Sequence, residues 1–104
     1  MENIFEPQAK LLWHGDRVKD WLNFDRSKPI LVEIAPTGYC NAKCPWCFFN
    51  GKKETERIKS SVMFKIIEDL NKLGVKAINW TGGGEPTLHP DFGGFVGYAA
   101  KNGL

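Results

Sequence analysis

Residues 40–47 read Cys-Asn-Ala-Lys-Cys-Pro-Trp-Cys, and all three cysteines of the 104-residue chain, Cys40, Cys44 and Cys47, fall inside this stretch. Thiolates spaced this closely in one loop can converge on a single metal centre. Iron–sulfur clusters are held mainly by cysteine thiolates, and a cubane cluster ordinarily takes four. A count of three leaves one iron without a protein ligand, open to a substrate or cofactor as the open position of a catalytic zinc is. The competing arrangement is a structural zinc site, which needs four closed ligands. His89 is the one candidate for the fourth, because His14 lies far off in the sequence. A disulfide framework does not suit an odd number of cysteines.

Upstream of the loop, residues 30–35 (Ile-Leu-Val-Glu-Ile-Ala) are short, β-branched and nearly continuous in hydrophobicity. They read as a buried strand of the parallel kind, with both faces covered. Glu33 is the exception: either it points into a polar lumen near the chemistry, or it is a structural carboxylate with a partner. Pro36, Thr37 and Gly38 end the strand and open the cysteine loop. Downstream, Phe48 and Phe49 precede a polar stretch in which Lys52, Lys53, Arg57 and Lys59 are interrupted by Glu54 and Glu56, the pattern of a solvated loop.

The next segment predicts a helix with Ser60 or Ser61 as N-cap. Val62, Met63, Ile66, Ile67, Leu70 and Leu73 form one apolar stripe, Glu68 and Lys72 an i,i+4 pair, and Gly74 a C-terminal stop. Residues 75–80 read as a second strand, and Thr81 leads into Gly82, Gly83, Gly84, Glu85 and Pro86. A third helix follows, with Pro90 near its first turn and Phe92, Phe95, Val96 and Ala99 on one face. Gly93, Gly94 and Gly97 weaken it by about 0.8–1 kcal/mol each relative to alanine, and Gly103 is a natural stop.

Two strands joined through a helix run parallel, with a right-handed crossover. In parallel α/β folds the functional loops gather at the carboxyl ends of the strands. Both the cysteine loop and the glycine loop leave a strand at that end, so neighbouring strands place Glu85 and the three cysteines on one rim.

The spacing C-x3-C-x2-C, with aromatic Trp46 just before the last cysteine, together with Gly83-Gly84-Glu85 after the second strand, resembles the radical S-adenosylmethionine superfamily. The resemblance implies an α/β fold, the N-terminal part of a partial TIM-like barrel, with parallel strands and about two and a half βα units of the roughly 30 residues each that a barrel spends. It implies that Cys40, Cys44 and Cys47 hold a [4Fe–4S] cluster and that S-adenosyl-L-methionine chelates the fourth iron. Gly83, Gly84 and Glu85 would bind the cofactor's methionine amino group, and Trp46 would lie near its adenine. A carboxylate suits an ammonium group because it accepts charge-assisted hydrogen bonds. Reductive cleavage would give a 5′-deoxyadenosyl radical that abstracts hydrogen from a small-molecule or peptide substrate, with flavodoxin or ferredoxin as electron donor. Residues 81–92 are also similar to family members that modify peptides or carry a further cluster domain.

Composition agrees with a folded domain: 42% apolar and 25% charged residues are ordinary values. A net charge of +2 is too small to point to nucleic acid. No apolar run is long enough for a membrane span, and residues 1–7 lack the basic start of a signal peptide. Free thiols then belong in a reducing, cytoplasmic setting. Residues 1–28 read as a leader with a short helix, in which Val18, Trp21 and Leu22 share a face; Trp13 and Trp21 either pack under the barrel or form part of a binding surface. Residues 29–104 read as the truncated core. The length predicts a fragment, either an enzyme domain completed by further chain or an inert iron–sulfur or zinc-binding remnant.

Overall fold

The amphipathic segment after the cysteine loop organises the packing. The computed structural model describes residues 9–49 and 56–104. The element order is α1 (Ala9–Leu12), α2 (Gly15–Phe24), β1 (Leu31–Ile34), α3 (Ser60–Leu73), β2 (Ala77–Trp80), a 3-10 turn (Pro86–Leu88) and α4 (Phe92–Lys101). Most of the lysine-rich stretch, residues 50–55, lies outside the described residues.

β1 and β2 pair in parallel, with Leu31 opposite Ala77, Val32 opposite Ile78, Glu33 opposite Asn79 and Ile34 opposite Trp80. Period-2 alternation sends Val32, Ile34, Ile78 and Trp80 to the face that α3 and α4 cover. Met63 and Ile67 of α3, Phe95 and Ala99 of α4, and Ile34 form the buried core. Aromatic edges bind it together: Phe64 meets Phe95 and Tyr98 edge-on at 5.3 and 5.1 Å, and Trp80 stacks on Phe95 at 6.4 Å. Fully burying Met63, Ile67 and Phe95 contributes about 1.5–3 kcal/mol each.

Several local expectations are corrected. β1 is not covered on both faces: Leu31 is 52% exposed and Glu33 is exposed, because both long helices pack on one side of the sheet. Glu33 has a partner, the Asn79 side-chain amide, which donates to it at 3.1 Å across the register pair. α3 begins at Ser60 with Lys59 as its cap and no side-chain capping bond. The Ser60 hydroxyl instead donates to Asp91 ahead of α4. On the exposed side of α3 the i,i+4 ion pair is Lys65–Asp69, while Glu68 accepts the Tyr98 hydroxyl at 2.7 Å and so ties α3 to α4. Gly74 ends α3 in the left-handed region, as its position predicts.

Helix α2 is held by a cation and not by tryptophans. Arg17 of α2 donates to the carbonyl of Gly74 at the end of α3, where the helix dipole favours positive charge. Trp13 is 86% and Trp21 57% exposed. Trp21 only borders an apolar groove of about 370 Å³ shared with Leu11, Val18 and Ile30. Among the described residues no helix is long and apolar enough to cross a membrane.

The hydrogen bond to Glu68, and then desolvation, raise the Tyr98 phenol above its ordinary value of 10.0. A raised pKa means that folding favours the protonated phenol, so this contribution is present at neutral pH and is lost as the pH rises past the phenol's range. An absorbance titration at alkaline pH should show a late tyrosinate step that moves down in E68Q and disappears in Y98F.

Candidate functional site

The two motif loops leave the sheet at its carboxyl end and touch each other there. Beyond β1 the backbone runs through Pro36 and Thr37, both buried, and then enters the cysteine stretch. The chain that returns from that excursion pairs with its start. Thr37 and Arg57 form an antiparallel bridge, Gly38 N–H donates to Glu56 at 2.9 Å, and Ile58 N–H donates to Pro36 at 3.0 Å. The Arg57 guanidinium lies 4.2 Å from the centre of the Tyr39 ring, a cation–π contact. The cysteine loop is thus closed at its base, a feature that hydrophobic periodicity did not signal.

The glycine loop docks on that base. Thr81 N–H continues the ladder to Ile34 at 2.9 Å, and Glu85 N–H donates to the carbonyl of Tyr39, the residue next to Cys40, at 2.8 Å. Gly82 has φ +135 and faces Ala35 so closely that a Cβ would collide with it. A Cβ on Gly84 would stand 2.5 Å from the Thr37 carbonyl oxygen and 2.7 Å from the Gly38 carbonyl carbon. Only glycine permits this backbone-on-backbone approach. Gly83 packs under the Phe49 ring, which a Cβ would meet at 3.5 Å. The Glu85 side chain turns onto the 3-10 turn: one carboxylate oxygen accepts Thr87 N–H at 3.2 Å and the Thr87 hydroxyl at 2.8 Å.

The three cysteines are free thiols of intermediate exposure. Cys47 N–H donates to the Cys44 carbonyl at 3.0 Å, a turn that carries Pro45 and Trp46 at its tip. Trp46 is 85% and Phe48 93% exposed. Among the described residues no three His, Cys, Asp or Glu side chains stand in a ligating arrangement, so the thiols share one loop without converging. The chemistry of the donor set nonetheless fits a thiolate-held iron–sulfur cluster: three unpaired, solvent-reachable sulfurs within eight residues. At the base of the cysteine loop, a cavity of about 230 Å³ is lined by residues 35–38, Glu56, Arg57, Ile58 and Gly83.

His89 is not available as a fourth ligand. It is 5% exposed, its Nδ1 accepts Asp91 N–H at 3.1 Å, and its Nε2 lies 2.9 Å from the Ile58 carbonyl. With Nδ1 accepting, Nε2 carries the proton and donates, so both ring nitrogens are committed. The ring lies 4.7 Å from that of Phe95 and bridges the start of α4 to the chain entering α3.

Comparison with known proteins agrees with this geometry. The sequence model of the Radical SAM superfamily matches residues 34–103. The chain is 36% identical over 75 residues to the mycofactocin maturase MftC of Mycobacterium ulcerans, covering 71% of this chain and 20% of that protein. It is 33% identical to the Fe-coproporphyrin III synthase of Methanosarcina barkeri, over 95% of this chain and 26% of that enzyme. A GTP 3′,8-cyclase of Chlorobaculum tepidum is 38% identical over 60 residues, covering 57% of this chain and 18% of that enzyme. The chain thus spans about a fifth to a quarter of the length of these relatives. In structure it is similar to Streptococcus suis SuiB, solved bound to the precursor peptide SuiA, with a TM-score of 0.64, 22% identity, and coverage of 96% of this chain and 23% of SuiB. With the superfamily model matching residues 34–103, which include both motif loops and β2, the chain belongs to the Radical SAM superfamily, a family of enzymes.

Proposed function

We propose that residues 29–104 are the N-terminal part of the catalytic core of a radical S-adenosylmethionine enzyme, a partial TIM-like barrel, with residues 1–28 as a leader. The observation that carries this reading is the hydrogen bond from Glu85 N–H to the Tyr39 carbonyl at 2.8 Å. It joins the glycine loop to the cysteine loop at the carboxyl end of two paired parallel strands, where such folds do their chemistry.

Cys40, Cys44 and Cys47 would hold a [4Fe–4S] cluster, and Glu85 would accept the ammonium group of S-adenosyl-L-methionine with charge-assisted hydrogen bonds. Gly83 and Gly84 would take part in binding the methionine end through their main chain. Trp46, on the exposed tip between two cysteines, offers its face or backbone to the adenine. Held by Cys40, Cys44 and Cys47, the cluster would supply one-electron reduction of S-adenosyl-L-methionine, and with it radical chemistry that removes hydrogen from a substrate. The protein's part is to fix geometry and exclude water. The fold shared with peptide-bound SuiB favours a peptide substrate. A flavodoxin or ferredoxin in the cytoplasm would serve as reductant.

The test is anaerobic reconstitution with iron and sulfide, followed by electron paramagnetic resonance with and without S-adenosylmethionine, and by metal analysis. A reduced-cluster signal that shifts on adding the cofactor is the expected result. Zinc bound in place of iron, with no cluster formed, would sink the reading. A cluster signal indifferent to the cofactor would leave only metal binding.

A further inference from the structure

We propose that Thr87 is a positioning residue for the cofactor-binding carboxylate, an inference that rests on the role of Glu85 given above. Glu85 sits at the mouth of the 3-10 turn with φ −99 and ψ 111, an extended geometry from which a long side chain is free to swing into solvent. Thr87 removes that freedom. Its backbone N–H and its hydroxyl both reach the same carboxylate oxygen, Oε1, at 3.2 and 2.8 Å. Among the described residues, Oε2 receives no protein donor. The two oxygens therefore divide their work: Oε1 is anchored to the protein, and Oε2 is left to accept an ammonium group.

The main chain on either side is fixed as well. Glu85 N–H is held by the Tyr39 carbonyl at 2.8 Å, and Pro86 fixes the next φ. With backbone and one oxygen both anchored, the carboxylate has few orientations left to it. A ligand then binds without having to order the side chain, a saving that appears as affinity. Any residue at position 87 except proline keeps the N–H bond; only serine or threonine adds the hydroxyl.

The experiment is an electron paramagnetic resonance titration of the reconstituted protein with S-adenosylmethionine, comparing wild type, T87V, T87S, E85A and the E85A/T87V double variant. T87V keeps the side chain's shape and loses the hydroxyl. Its apparent Kd for S-adenosylmethionine should rise about tenfold, the cost of one hydrogen bond to a charged group, with cluster content unchanged. T87S should recover wild-type affinity. In the E85A background T87V should add nothing, because Thr87 acts only through that carboxylate. A wild-type-like Kd in T87V would overturn the proposal, as would an equal further loss in the double variant. A wild-type cluster that ignores S-adenosylmethionine would overturn the role of Glu85 itself, and the proposal with it, a result distinct from either of these.

Discussion

Gly84→Ala is expected to destabilise the chain by about 3 kcal/mol, at the upper end of what overpacking costs, and to abolish any response to S-adenosylmethionine. The added methyl would meet main-chain atoms of Thr37, Gly38 and Tyr39. Backbone cannot swing aside as a flexible side chain can. Those atoms are also tied down, since Gly38 and Pro36 bond to the returning strand segment at 2.9 and 3.0 Å. The substitution must therefore push the glycine loop off its seat and break the bond from Glu85 N–H to Tyr39, which moves Glu85 away from the cysteines. Gly97→Ala is the control for composition. Gly97 is an exposed position of α4 at which a Cβ meets nothing within 4 Å. There the same change should stabilise by about 0.5–1 kcal/mol, through helix propensity and a less flexible unfolded chain. Urea denaturation of both variants, with the cofactor titration on the first, checks the pair. Equal and small effects at the two positions would show that the loop contact is not confining.

The architecture was legible wherever one local signal dominated. The stripe Met63–Ile67–Leu70 with Gly74 behind it marked α3, and both of its deepest residues are fully buried. The order of strands and helix implied a parallel pair, and the pair is parallel. The meeting of the two motif loops also followed from topology alone. What sequence reading missed depends on contacts between distant segments. Glu68 is spaced for Lys72, yet a hydroxyl thirty residues away on α4 takes it. Ser60 has the chemistry of a cap, yet it turns to Asp91. The bridge from Thr37 to Arg57 closes the cysteine loop between two stretches with no periodic pattern. Packing of Trp13 and Trp21 is what their size and apolarity suggest, but Arg17 of α2 anchors that helix instead, through the Gly74 carbonyl at the end of α3. The 3-10 turn at Pro86–Leu88 is three residues long, too short for a period, although Glu85 followed by Pro86 at its first position is the signal that would have found it.

The second large effect separates a cluster from a zinc site. Cys40→Ser, Cys44→Ser and Cys47→Ser should each reduce the iron and sulfide retained after reconstitution to below about a tenth of wild type, because two thiolates fall well short of the set that holds a cubane cluster. His89→Ala should leave iron per folded molecule unchanged. It should nevertheless cost about 2–4 kcal/mol of stability, because the part-buried Ile58 carbonyl and the Asp91 N–H lose their partners at once and a buried ring is removed from beside Phe95. A three-cysteine, one-histidine zinc site predicts another pattern: loss of metal in all four variants, with zinc as the metal lost. Iron and zinc analysis of the four proteins, beside their denaturation midpoints, distinguishes the two. The geometry favours the first pattern because a ligating imidazole must offer a lone pair. The Nδ1 lone pair of His89 already accepts an N–H, and its Nε2 is a donor to the Ile58 carbonyl, so binding a metal would first require breaking the contact that holds the start of α4 to the chain entering α3.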